Sequence, residues 1–125
     1  MSDWQIGFGG RETDGLTKFL LKQGFSDKLI AESGVAFERE FGDKRMKDRF
    51  YDRIIIPIRE PRNGEIVAFS GRDIFDRKNT GKYINSPENP VYHKSSTLLG
   101  YDRARKIIAD QDFVIMVEGN FDVIS

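Results

Sequence analysis

The sequence predicts an α+β chain, in which a small mixed subdomain of one helical hairpin and one β-hairpin leads into the first strand of an α/β unit. Three observations carry this. Apolar residues recur at helical spacing between glycine stops over the first forty residues. Two β-branched runs flank an Asn-Gly turn between Ile54 and Arg72. Near the carboxyl end the apolar run Phe113-Val114-Ile115-Met116-Val117 delivers Glu118-Gly119-Asn120-Phe121-Asp122.

Thr13 or Asp14 caps a first helix through Leu16, Phe19, Leu20 and Leu21, stopping at Gly24. Ser26 caps a second, with Leu29 and Ile30 inward and Gly34 ending it. Ile54-Ile55-Ile56-Pro57-Ile58 is too short and too β-branched for a helix. Asn63-Gly64 turns it back into Glu65–Arg72, and Pro57 predicts an edge position or a bulge. Asp73 to Gly81 is loop, and Lys82 to Pro90 is too proline-rich for a helix. Val91–Lys94 is a short extended piece, followed by a turn at Ser95 or Ser96. Asp102 caps a helix through Ala104, Ile107, Ile108 and Ala109, after which residues 113–117 form a buried strand. The expected division is 1–97 and 98–125. The chain ends three residues after Asp122, so the second unit reads as part of something longer.

Composition narrows the class. At 125 residues, 38% hydrophobic and 12% aromatic, the chain fits about one globular domain rather than a disordered segment. There is no apolar run long enough for a membrane span and no signal-peptide pattern, so no membrane partner is expected and a cytoplasmic location is the default. With no cysteine there is neither a disulfide framework nor a zinc-thiolate site.

The formal net charge is zero, but it is unevenly spread. Residues 44–94 hold twelve Lys/Arg against seven Asp/Glu, a balance of +5, and the remainder holds eight against thirteen, a balance of −5. A basic middle of this kind binds a polyanion locally, or is simply a solvated mixed surface. Arg49, Arg72, Lys82 and Lys94 all fall at the ends of expected elements, where side chains are able to converge. Arginine grips phosphate through two N–H groups and lysine acts as a mobile point charge. Tyr83, Tyr92 and Phe75 are near enough in sequence to stack a base. The competing reading pairs each cation with a local acid such as Asp48, Asp52 or Glu88. Glu118 and Asp122, four residues apart at a strand's end, suit a magnesium site, which takes hard oxygen ligands.

Several segments together resemble one family. Asp48-Arg49-Phe50 leading into Arg53–Glu60 is similar to the start of the central hairpin in the catalytic domain of bacterial DnaG-type DNA primases. Val67–Arg72, Lys82-Tyr83-Ile84-Asn85-Ser86-Pro87-Glu88, Tyr92-His93-Lys94 and Leu98-Leu99-Gly100-Tyr101 follow in that family's order and spacing. Val117–Ile124 looks like the Glu-Gly-Tyr-Met-Asp signature, the first acidic motif of the Toprim α/β fold, and Lys22–Ser26 resembles the corresponding helical start. The resemblance runs from about Ile6 to the end.

It implies part of a DNA-directed RNA polymerase, a nucleotidyltransferase that makes short RNA primers on a single-stranded DNA template from ribonucleoside triphosphates. Glu118 would be the catalytic Toprim glutamate and a metal ligand, with Asp122 the second ligand, for Mg2+ or Mn2+ in the complete enzyme. Arg49, Arg72, Lys82 and Lys94 would form the template or triphosphate surface, supported by Tyr83 and Asn85. The later Toprim acids, the zinc-binding module and the helicase-binding domain of the family are not in this sequence, so the isolated chain is expected to be inactive. The single histidine, His93, is assigned no role. Three departures stand out: Ser70 where the family usually has glycine, Asn120-Phe121 in place of Tyr-Met, and no proline in the Gly7–Arg11 run. Two other readings remain: a single-stranded nucleic-acid binding module without chemistry, and a Toprim segment of another nucleic-acid enzyme.

Overall fold

The computed structural model describes residues 2–125. In chain order its elements are β1 (Gly7–Phe8), α1 (Gly15–Lys22), α2 (Asp27–Ser33), β2 (Ala36–Glu38), β3 (Met46–Asp48), β4 (Ile54–Arg59), β5 (Ile66–Arg72), β6 (Tyr83–Asn85), α3 (Tyr101–Gln111) and α4 (Asn120–Ile124). A four-stranded antiparallel sheet, in the order β1-β4-β5-β6, forms the centre, with β2 and β3 as a separate ribbon.

The central hairpin is as the sequence predicts. Ile54 pairs with Arg72 and Ile58 with Ala68, and a bulge follows between Ile58 and Arg59. The turn is closed by side chains: Glu60 Oε2 accepts the N–H groups of Arg62 (2.6 Å) and Asn63 (2.9 Å), while Asn63 Oδ1 accepts that of Glu65 (2.9 Å). Pro57 sits in an inner strand, yet it costs no ladder bond. The Arg53 carbonyl faces β1, accepting the Gly9 N–H at 2.9 Å, and by the two-residue alternation Pro57 faces the same side. β1 ends opposite Ile54 and Ile55, so nothing there asks Pro57 for a donor.

β6 extends the sheet from Lys82-Tyr83-Ile84-Asn85, and Ser86 continues the ladder with its side chain. The Ser86 hydroxyl accepts the Phe69 N–H (2.9 Å), and its own N–H donates to the Phe69 carbonyl (2.8 Å). Ser70, despite replacing an expected glycine, is an ordinary strand residue and not among the positive-φ positions.

α1 starts where expected, but not by the expected means. Asp14 occupies the N-cap position without capping; it pairs with Lys18 at 3.2 Å. The cap comes from Asp48, over thirty residues away. Its buried carboxylate accepts the N–H groups of Leu16 (2.7 Å) and Thr17 (2.9 Å) and the Thr17 hydroxyl (2.6 Å). Asp48 is therefore no partner for a surface cation. α2 is capped by Ser26 and ended by Gly34 in the left-handed region, as predicted. Gly34 is required twice over, since φ is +80° and a Cβ would lie 2.8 Å from the Pro87 ring. Ile30 is buried, whereas Leu29, expected inward, is half exposed.

The carboxyl-terminal region departs most from expectation. α3 begins at Tyr101 with Gly100, not Asp102, at the N-cap; Asp102 lies in the first turn. A Cβ on Gly100 would fall 2.7 Å from Val123 and 3.4 Å from the Trp4 ring. No residue of α3 is buried, and Ile107 is 65% exposed. Phe113–Val117 is not a strand. It pairs with no strand among the described residues, and its side chains are exposed, Ile115 by 78%. An apolar run becomes a strand only where another strand meets its N–H and C=O groups. Among the described residues, no helix is long and apolar enough to cross a membrane.

Candidate nucleic-acid interface

Strand register sorts the expected site residues onto two faces. Arg72 lies opposite Tyr83 and Ser70 opposite Asn85, so these four share one face of β5–β6. Gly71 and Ile84 point the other way, where a Cβ on Gly71 would meet the Phe50 ring at 2.7 Å and Arg53 Cδ at 3.1 Å.

On the first face the Arg72 guanidinium lies 4.9 Å from the Tyr83 ring centroid, and its Nη1 is buried with no hydrogen-bond partner among the described residues. A desolvated guanidinium nitrogen without an acceptor is costly unless a ligand supplies one. The same face carries the acidic segment, because Asn120 Nδ2 donates to the buried Ser70 hydroxyl at 2.9 Å. Glu118 and Asp122 are both exposed. At Gly119 a Cβ would sit 2.5 Å from an Asp122 carboxylate oxygen, which folds back over the backbone next to Glu118. Two carboxylates are hard oxygen donors of the right kind for Mg2+ or Mn2+. Among the described residues, however, no group of three or more His, Cys, Asp or Glu gathers to hold an ion.

The opposite side holds a cleft of about 570 Å³ with Arg53 and Ile84 at its base. Arg49 is here, not beside Arg72. Its Nε donates to the Gly34 carbonyl (2.8 Å), its guanidinium lies 5.2 Å from the Phe37 ring, and burial lowers its pKa from the usual arginine value. Lys47, Arg77 and Lys78 also line it; Lys47 Nζ is 4.8 Å from the Tyr51 ring. Two of the cleft's cations are structural. Arg53 donates to the carbonyls of Gly71 (3.2 Å) and Lys82 (3.4 Å) and to the Thr80 hydroxyl. Arg77 pairs with Asp73 (2.8 Å) and Asp52 (3.6 Å). Burial pushes the Asp73 carboxyl upward, but the Arg77 N–H, the Arg77 guanidinium and the Phe75 N–H outweigh it and hold the pKa at about 2. Lys47, Lys78 and the outer nitrogens of Arg49 have no acid partner among the described residues. Basic and aromatic residues interleaved over Lys47-Asp48-Arg49-Phe50-Tyr51 were the available signal for this cleft, which sequence reasoning reached only through Arg49.

Lys82 and Lys94 are exposed and join neither group through a side-chain contact among the described residues. Lys82 contributes its carbonyl to Arg53 and to the Asp73 N–H (2.8 Å); the Lys94 N–H donates to Glu88 (3.2 Å). The four expected cations thus do not converge on one surface. Arg72, Tyr83 and Asn85 share a face with the tethered acidic segment, and Arg49 opens on the other.

The profile of the DNA primase catalytic core, N-terminal domain, matches residues 1–105. This chain belongs to that family. A family relative, the DNA primase of Listeria monocytogenes, is 43% identical over 125 residues, covering 100% of this chain and 19% of its own length. The chain thus spans about a fifth of the curated relatives it matches. Among solved family structures, the RNA polymerase domain of Mycobacterium tuberculosis primase DnaG in complex with double-stranded DNA superposes with a TM-score of 0.87 at 35% identity, over 97% of this chain and 37% of that one. A DnaG primase catalytic domain bound to single-stranded DNA superposes with a TM-score of 0.68 at 29% identity, over 84% of this chain and 31% of that one. The mixed helix-and-sheet architecture is the primase catalytic-core fold.

Proposed function

We propose that this chain serves as the N-terminal part of a primase catalytic core, a DNA-directed RNA polymerase that makes short RNA primers on single-stranded DNA during replication in the cytoplasm. Residues 1–97 supply the template and triphosphate surface, and 98–125 begin the Toprim unit. The observation that carries this reading is the buried, unpartnered Arg72 Nη1, stacked on Tyr83, on the sheet face to which the Glu118–Asp122 segment is hydrogen-bonded. A cation with a spare donor, on the face to which an acidic segment is tied, suits a triphosphate whose charge is shared between arginine and a divalent ion.

Glu118 and Asp122 would hold Mg2+ or Mn2+ together with a substrate phosphate and oxygens from outside this segment. The ion would supply neutralisation of phosphate charge and activation of the attacking hydroxyl. Arg72 would orient the phosphates, Tyr83 keeping its guanidinium flat and Asn85 flanking it on the same face. Lys82 and Lys94 would add mobile charge, and the Arg49–Lys47–Lys78 cleft would take the template backbone. A replicative helicase partner belongs to parts of the family's chains outside this segment.

The test is a titration of labelled single-stranded DNA at two salt concentrations, with the chain and its Arg72→Ala, Lys82→Ala double variant. Salt-dependent binding is expected, with each lost phosphate contact removing about 0.7 from the log–log slope. A folded chain that binds neither DNA nor a nucleoside triphosphate would overturn the reading. Binding that metal never influences, even in a longer segment, would favour a binding module without chemistry.

A further inference from the structure

The acidic segment has few ties to the sheet. Among the described residues, the Asn120–Ser70 hydrogen bond is the one side-chain hydrogen bond that joins residues 112–125 to a strand. It links positions fifty apart in sequence, and Ser70 is buried in mid-strand. The hydroxyl on the strand and the amide on the acidic segment meet at 2.9 Å.

We propose that Asn120 and Ser70 are a positioning pair that sets the distance from Glu118 and Asp122 to the Arg72–Tyr83 face. This rests on the primase reading of that face. Asn120 lies two residues from each acid, so fixing its amide fixes the stretch that carries both. Ser70 lies two residues from Arg72 on the same face, about 7 Å along the strand. The bond therefore ties the stretch that carries both carboxylates to β5, two strand positions from Arg72. Among the described residues, the other ties of this segment are apolar: Val114–Val117 and Val123 line a cavity with Trp4 and α3, away from the Arg72–Tyr83 pair. Neither Asn120 nor Ser70 needs to touch substrate.

The experiment is a double-variant cycle of Asn120→Ala, Ser70→Ala and both, read in two ways. In this chain, acrylamide quenching of Trp4, the single tryptophan, reports how α4 is seated. Quenching is expected to rise by about the same amount in all three variants, because either change breaks the same bond. In the full-length polypeptide that carries this segment, primer synthesis is expected to lose about tenfold in kcat, with KM for nucleoside triphosphate within about twofold, and the double variant no worse than either single. Additive losses, or an unchanged kcat in variants of a protein that does make primers, would overturn the proposal. If the unaltered full-length protein makes no primer while the quenching cycle is non-additive, the tether stands, but the primase reading fails and the positioning role falls with it.

Discussion

The hairpin β4–β5 and the run Phe113–Val117 are written in the same alphabet of β-branched and large apolar residues, and they end in opposite states. Ile56 is fully buried and Ala68 nearly so, while Ile115 is 78% exposed. What separates them is partners. β4 has β1 and β5 beside it, and Tyr92 packs with Ile58 and Ala68 on the face that Ile56 shares. Residues 113–117 meet no strand among those described. Hydrophobicity selects residues for a core, but hydrogen-bonded neighbours are what turn a run into a strand.

The comparison breaks most visibly at Ile56. Ile56→Ala removes a side chain with no room to be refilled, and should cost about 2–5 kcal/mol in urea unfolding. Asp48→Ala comes next. It leaves the first N–H groups of α1 and the Thr17 hydroxyl without an acceptor, at a cost of about 2–3 kcal/mol by the same measurement. Asp14→Ala, at the formal cap position, should cost under about 1 kcal/mol, since its ion pair with Lys18 is largely exposed.

Asp73 sharpens the comparison through pH. Its folded pKa, about 2, lies below the usual carboxylate value of 3.8, so the native state favours the charged form. The stability this lends is complete above the unfolded value and is lost as pH falls from about 4 through about 2. Asp73→Asn should be less stable than the unaltered chain at pH 6, with the gap closing on acidification; a gap that stays constant to pH 2 would contradict the assignment. The smallest effect belongs to the exposed run. Ile115→Ser should change stability in this chain by no more than about 0.5 kcal/mol, because little area is uncovered.

Local chemistry made much of the molecule legible in its sequence. Asn63-Gly64, Ser26 and Gly34 act through bonds within a few residues, so the turn and the α2 ends could be read directly. The Lys82–Glu88 stretch pointed to the family by resemblance, and the family model matches residues 1–105; the spacing of Glu118 and Asp122 pointed to an acidic segment. Other features depend on residues far apart. The cap on α1 from Asp48, the division of Arg49 and Arg72 between two faces, and the Ser70–Asn120 bond each join positions from about thirty to fifty apart, or turn on strand register. Register reverses a side chain's face with a slip of one residue, so only the assembled sheet decides which cations stand together. The sequence by itself determined where the central hairpin turns, where α2 begins and ends, and which segments carry charge. The tertiary structure decided which charges face each other and which apolar run found a partner, because both depend on contacts that exist only once the sheet has closed.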